Sequence, residues 1–262
     1  MINIKKAQIA YKKYTEKYAN LETVGIDKIE MKIEHIKRVS EIAKNIAKNL
    51  KLSEEDILLA ELIGLLHDIG RFEQIRIYNT GVDKDSVNHG ELGVQILFEE
   101  NLIREFIEES KYDDIIKTSI LSHNKNKSEI IESKNEKINL HTKIIRDADK
   151  VDILYILTFE EKLTAWESEN IDNEEIAKEI FRGFIENREV DYTKMKAHVD
   201  ILIGQFAYIF DINFKYTMKY IKEKEYYNKI YKRFNFTNKD TKNKMEEIYD
   251  IVEKYMKNEI NK

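Results

Sequence analysis

Residues 53–70 read SEEDILLAELIGLLHDIG. Ser53 and Asp56 make a capping-box pattern at the start of a helix. From Ile57 to Leu66 the only charged residue is Glu61, so the helix is apolar nearly all round and must be surrounded by other elements. Gly70 offers a natural stop. The run ends on His67 and Asp68, two groups that are costly to bury without partners. A central helix that delivers such a pair to its end predicts a fold built around that end.

Segments with helical periodicity lie on both sides, and almost nothing alternates with period two. Upstream, about 27–50 carries Met31, His35, Val39, Ile42 and Ile46 in one stripe. Downstream, 77–86 (IYNTGVDKDS) is polar and reads as a loop. Helices are predicted over about 87–98, with His89 beside Leu92 and Ile96, and over 113–123, with His123 in line with Ile116 and Ile120. NKNKSEIIESKNEK (124–137) is a surface connection. A long helix over 137–164 aligns Ile145, Asp149, Ile153 and Ile156. After ESENIDN (167–173) come helices near 173–186, 192–232 with interruptions, and 240–258.

Composition agrees with an all-α chain. There is no proline in 262 residues, which fits helices joined by short polar links, although an AT-rich codon bias would have the same effect. No cysteine is present, which removes disulfides, thiolate zinc sites and cysteine nucleophiles. Basic and acidic residues number 44 and 49, a net charge of −5, which argues against a nucleic-acid coat protein. The charged amphipathic start and the lack of a long apolar run predict a cytoplasmic protein without a membrane span.

His35, His67 with Asp68, His89, His123 and Asp149 fall in, or at the end of, the apolar stripes of five helices. Inward imidazoles and carboxylates from several helices are a way to build a metal site in a helical core. Nitrogen and oxygen donors without sulfur suit Mn, Fe, Co, Ni or Zn, and Mg less well. His141 and His198 lack such company and are read as ordinary core or surface residues.

The text LLHDIG at 65–70, with His35 upstream and RDADKVD at 146–152, resembles the HD-domain superfamily of metal-dependent phosphohydrolases. Their pattern is His, then His-Asp, then a distant Asp, and the resemblance covers about 27–160. The chain is accordingly read as a helical metal-binding core at 27–164, with an N-terminal helix in 1–26 packed on it. A helical C-terminal extension at 165–262 completes the same globular unit.

His89 in NHGELGVQIL and His123 in ILSHNK are similar to the extra histidines of the binuclear members, which include the HD-GYP phosphodiesterases and the HD-type di-iron oxygenases. The resemblance implies that His35, His67 and Asp149 hold one divalent metal, that His89 and His123 hold a second, and that Asp68 bridges them. Asp149 is preferred to Asp147, which lies about 160° round the helix. Asp147 and Asp152 are expected to be supporting groups at most. In the alternative, His89 and His123 contact substrate phosphate around a single metal.

Two departures from the HD-GYP pattern stand out. Asn124 replaces the second histidine of a pair, and the GYP segment is missing, so a cyclic dinucleotide is not the expected substrate. Arg71 stands where that family has a lysine after HDIG and offers a bidentate fork for phosphate. Gln74, Arg76, Tyr78 and Asn88, in or beside the 76–88 loop, are further candidate substrate contacts.

The implied activity is hydrolysis of a small phosphoester, a nucleotide or related phosphate, by a metal-activated water, with Mn or Fe foremost and Asp68 and Arg71 as the catalytic residues. The rival readings are a di-iron oxygenase acting on a small anionic substrate and a non-catalytic nucleotide-binding metalloprotein. Homo-oligomerisation is left open. Residues 213–245 carry ten basic and three acidic residues interleaved with aromatics. They are read as amphipathic helices with aromatics facing a core, in preference to a surface for single-stranded nucleic acid.

Overall fold

The apolar and amphipathic stretches fold as helices throughout the computed structural model, which describes residues 2–18, 26–130, 132–166, 168 and 170–262. Among the described residues no strand occurs, so the all-α expectation holds. The chain divides into two compact units, Met1–Asp152 and Ile153–Lys262. The division falls upstream of residue 165, where the sequence places the start of the C-terminal extension. Residues 19–25, part of the expected N-terminal segment, lie outside the described residues.

The first unit contains α1 (Ile4–Thr15), α2 (Ile26–Asn49), α3 (Glu54–Leu66), α4 (Gly70–Tyr78), α5 (His89–Val94), α6 (Ile103–Phe106), α7 (Asp113–Ser122) and the first part of α8 (Glu136–Phe159). Helix α3 is central, with every residue from Leu59 to Leu66 buried. Its start is capped by Ser53, whose Oγ accepts from Asp56 N at 3.1 Å. Glu61, the one charge inside the helix, is buried and pairs with Lys44 at 3.2 Å. A Cβ at Gly64 would lie 2.6 Å from the Cα of Ser40, so glycine is what lets α2 and α3 approach. Ser40 Oγ then donates to the Glu61 carbonyl at 2.7 Å. Along α2 the buried face is Ile36, Val39, Ala43, Ile46 and Ala47, together with His35.

Helix α1 sits over the turn that follows α3. Tyr11 and Tyr14 meet Phe72 edge-on at 6.2 and 6.0 Å between centroids. Tyr14 Oη donates to the Ile69 carbonyl at 3.3 Å. These contacts pack α1 against the start of α4 and the turn before it.

Gly70 is not the helix stop predicted from its identity. Helix α3 ends at Leu66, and Gly70 opens α4. No described glycine has positive φ, so Gly70 is not in the left-handed conformation of a C-cap. A Cβ there would meet the His89 carbonyl at 2.2 Å and Gly93 N at 2.6 Å, so it serves the close approach of α4 and α5. Two boundaries also shift. Helix α4 extends through Tyr78 to Asn79, a left-handed C-cap, which shortens the loop at its start. Helix α5 starts at His89 because Asn88 caps it, accepting from Gly90 N and Glu91 N at 2.9 and 3.1 Å.

The second unit contains the end of α8, α9 (Lys162–Trp166), α10 (Lys178–Asn187), α11 (His198–Ala207), α12 (Lys215–Glu223), α13 (Tyr226–Tyr231) and α14 (Lys239–Asn261). Its core includes Phe184, Ile203, Phe206, Ile221, Tyr227, Ile248 and Val252. Within the basic segment Tyr226, Tyr227 and Phe236 are buried, and the other aromatics are half-buried. Arg233 donates to the carbonyls of Leu157 and Glu160 and lies 5.1 Å from the Trp166 ring centroid. Packing accounts for these rings. No helix is long and apolar enough to cross a membrane among the described residues.

His141 and His198 take ordinary places. His198 bonds Glu174 at 2.8 Å at the surface. His141 is buried with Nε2 3.1 Å from Asp56 Oδ1, and burial lowers its pKa.

Two predictions follow from this packing. Gly70→Ala forces α4 and α5 apart and should cost about 1–3 kcal/mol or more. Gly81→Ala, with nothing within 4 Å of the new Cβ, should be near neutral. Chemical denaturation of both variants checks this. A buried histidine with a lowered pKa binds its proton less readily in the folded chain than in the unfolded one. Its contribution to stability is therefore full above about pH 6.5 and declines as the pH falls below that. His141→Gln, which keeps a donor for Asp56 without titrating, should lose less stability than wild type between pH 7.5 and 5.

Candidate metal centre

Five helices bring their chemistry to one place in the first unit. His35 stands in the middle of α2, His67 is the C-cap residue of α3 with Asp68 next, His89 opens α5, His123 is the C-cap residue of α7, and Asp149 faces them from α8. All four histidines and Asp68 are buried.

The orientation of each ring is set from its outer nitrogen. His67 Nδ1 donates to the Gly64 carbonyl at 2.9 Å, and His123 Nδ1 to the Ile120 carbonyl at 2.7 Å. These acceptors lie three residues back, where a helix end leaves carbonyls free. His35 Nδ1 donates to Asp152 Oδ2 at 2.7 Å, and Arg38 grips the same carboxylate at 2.6 and 3.0 Å. His89 Nδ1 donates to Asp83 at 2.8 Å, and Arg71 Nη1 holds that carboxylate at 2.6 Å. Carbonyl and carboxylate oxygens only accept, so each Nδ1 carries the proton and each Nε2 presents a lone pair inward. Such outer contacts fix tautomer and direction in metal-binding histidines.

The inner atoms converge on Asp68. Its Oδ2 lies 3.6 Å from His35 Nε2 and 3.8 Å from His67 Nε2. Its Oδ1 lies 3.1 Å from His89 Nε2 and 3.6 Å from His123 Nε2. Asp149 Oδ1 completes the first side at 3.3 Å from His35 and 3.7 Å from His67. Two groups could hold an ion, His35 with His67 and Asp149, and His67 with Asp68 and His123. The second takes His67 where the sequence expectation pairs His89 with His123.

Protein groups alone leave this cluster unsatisfied. Nε2 of His35 and His67 is buried without a hydrogen-bond partner. Nε2 of His89 and His123 face each other at 2.9 Å, lone pair against lone pair in the tautomers described. A cation between these donors removes both difficulties, so the residues fit a divalent metal.

The charge states of the two carboxylates and of His123 agree, while the Asp149 and Asp152 carboxylates favour a proton on His35 that a bound cation would displace. Burial would raise the pKa of Asp68, but Lys32, His67 and His89 hold it well below the carboxylate range. Asp149 is likewise held well down by His35 and His67 against its burial. Burial pushes His123 down to about 4, so it is neutral at pH 7. Burial and Lys32 act to lower His35, but Asp149 and Asp152 outweigh them and raise it. Ionised carboxylates and a neutral imidazole are what metal ligation requires.

Arg71 lies at the rim with its Nη1 already engaged by Gln74 Oε1 at 2.8 Å, the Gly81 carbonyl and Asp83. Its Nε is buried without a partner, 3.8 Å from Asp68 Oδ1. Gln74 spends its amide on Asp83, Ser86 and the Val87 carbonyl at 3.0, 2.8 and 2.8 Å. Asn88 caps α5 and accepts from Asn124 Nδ2 at 3.1 Å. Arg76 is exposed and pairs with Glu73, and Tyr78 is exposed. Gln74, Arg71 and Asn88 thus build the loop 79–88 that backs His89.

Three groups at the centre escape the sequence reading. Lys32 Nζ donates to Asp68 Oδ2 at 2.9 Å; its place one turn before His35 was the available signal. Asp83 lies in a polar loop with no periodicity to single it out. Arg146 is buried and donates to the carbonyls of Ser122, His123 and Lys125 at 2.6, 3.1 and 2.7 Å, holding the end of α7 that carries His123.

Residues 33–154 match the family model described as HD domain. That segment is an HD domain. The matched segment begins two residues before His35 and ends two after Asp152, so it spans every member of the cluster. HD domains are metal-dependent hydrolase-type folds, and the cluster of this HD domain has donors of the matching kind. No curated protein and no solved structure matches the chain significantly.

A ligand that binds only the folded chain stabilises it by about 2.7 kcal/mol at one hundred times its Kd. Mn(II) at such an excess should therefore raise the melting temperature by about 5–10 °C. Calorimetry of His67→Ala should show no comparable rise, and a chelator should reverse the wild-type shift.

Proposed function

We propose that this HD-domain protein is a metal-dependent phosphohydrolase that cleaves a small phosphoester, a nucleotide or related phosphate, with water as the nucleophile. The observation that carries the reading is the division of Asp68, one oxygen toward His35 and His67 and the other toward His89 and His123. In this reading His35, His67 and Asp149 would hold one divalent metal, His89 and His123 would hold a second, and Asp68 would be the ligand shared between them. When bound, the metals supply Lewis acidity and a water of lowered pKa. The histidine-rich set suits Mn or Fe, with Co, Ni and Zn acceptable and Mg less so.

The chain's own groups do the rest. Lys32, with its side chain 22% exposed, offers a cation that turns from Asp68 to a phosphoryl oxygen. Arg71 pins the 79–88 loop through Nη1 and presents Nε toward Asp68, so its contribution to an anionic substrate comes from that edge. Asp152 and Asp83 keep the His35 and His89 rings in the tautomer that presents Nε2. Burial of the four histidines and Asp68 lowers the local dielectric, which strengthens the charge interactions among them. The nucleotide preference rests on the cationic rim and on family character, and Gln74 and Asn88 support the rim through the loop.

Phosphate release from a panel of nucleotides and sugar phosphates tests the reading, with protein reconstituted separately with Mn, Fe(II), Co, Ni and Mg. Turnover should be supported best by Mn or Fe(II) and fall to background in Asp68→Ala. Lys32→Ala should raise KM by about tenfold or more, as loss of a charge-assisted hydrogen bond implies. Silence across phosphomonoesters and phosphodiesters with metals bound, together with iron-dependent oxygen uptake, would replace hydrolysis with the di-iron oxygenase reading.

A further inference from the structure

The cluster is built as two matching halves. In each, one histidine is held by the carbonyl three residues back at a helix end, His67 by Gly64 and His123 by Ile120. In each, the other histidine is held by a carboxylate that an arginine grips in turn, His35 by Asp152 with Arg38, and His89 by Asp83 with Arg71. The halves differ in where the carboxylate stands. Asp152 belongs to helix α8 and its side chain is 1% exposed. Asp83 belongs to a short 3-10 turn in loop 79–88 and is 31% exposed.

Asp83 is also the point on which that loop closes. Besides His89 it accepts from Arg71, from Gln74 at 3.0 Å and from Asn124 at 3.2 Å. These donors come from α4 and from the residue after His123. One carboxylate therefore ties together the loop, the helix that follows the His-Asp pair, and the two histidines of the second half.

We infer that Asp83 is the positioning residue of the second metal position, fixing the His89 ring so that its Nε2 faces Asp68 and His123, and that it controls occupancy of that position separately from the first. The inference rests on the two-metal reading above. A carboxylate at residue 83 can only accept, whereas the amide of Asp83→Asn can also turn its NH2 to Nδ1 of His89, and the other tautomer, with Nε2 protonated, becomes accessible. That tautomer turns an N–H toward the ion. The first position keeps its own carboxylate on a rigid helix and is not affected.

The test uses the full chain loaded with Mn(II). Metal per chain and stepwise affinity are measured for wild type, Asp83→Asn, Asp83→Glu and Asp152→Asn, with low-temperature electron paramagnetic resonance to distinguish coupled from isolated Mn. Wild type should bind two ions and show the coupled signal. Asp83→Asn should keep one ion at wild-type affinity, bind the second about 10–100-fold more weakly, and show the isolated signal. Asp83→Glu should recover part of the second affinity, and Asp152→Asn should weaken the first position instead. The retained ion in Asp83→Asn reports an intact fold. Two ions bound to Asp83→Asn at wild-type affinities would overturn the inference, as would equal loss at both positions. A wild-type protein that binds a single ion would overturn it together with the two-metal reading, whereas the first two outcomes leave that reading standing.

Discussion

A buried carboxylate surrounded by four imidazoles is the constraint on which the first unit depends. Asp68 is 3% exposed, and each of its oxygens faces a pair of histidine nitrogens. Placing so many polar atoms in a low-dielectric interior is unfavourable unless every one has a partner. The surrounding structure supplies the outer partners. Helix ends provide carbonyls for His67 and His123, and carboxylates held by arginine serve His35 and His89. Inward, Nε2 of His35 and His67 lacks a partner and those of His89 and His123 oppose each other. The same polar cluster therefore suits a cation.

The surrounding helices are packed closely enough to hold this arrangement. Glycine at position 64 brings α2 against α3, which sets His35 opposite His67. Glycine at position 70 brings α4 against α5, which sets the His-Asp turn opposite His89. Arg146 closes the end of α7 by donating to the carbonyls of Ser122, His123 and Lys125, so His123 stands on a fixed helix end. Each glycine or arginine acts through backbone placement, and none touches the centre as a ligand.

Much of the centre was legible because helical periodicity reports direction. His35 lies between Met31 and Val39 in an apolar row, and Asp149 aligns with Ile145 and Ile153; a polar residue in such a row must point where its apolar neighbours point. The role of Gly70 was misread because a glycine after an apolar run suits both a helix stop and a close crossing, and only the neighbouring backbone of α5 distinguishes them. Arg71 reads as a phosphate contact from its place after HDIG, and Gln74 as a substrate contact from its place beside a loop. Their donors turn to Asp83, a partner several residues away that no local pattern reveals.

By itself, the sequence determined the helical class, the central position of the 54–66 helix and the histidines and carboxylates that face inward, because these follow from the order of apolar and polar residues along single helices. Tertiary structure alone decided which oxygen of Asp68 meets which histidines, that Lys32 reaches it, and that Asp83 and Asp152 stand behind His89 and His35. It also decided the division of the chain at Asp152 and Ile153, inside one continuous helix. The reason is physical: periodicity fixes the direction of a side chain from its own helix axis, whereas a hydrogen bond depends on how two separate axes cross. That crossing is set by backbone approach and packing summed over the unit.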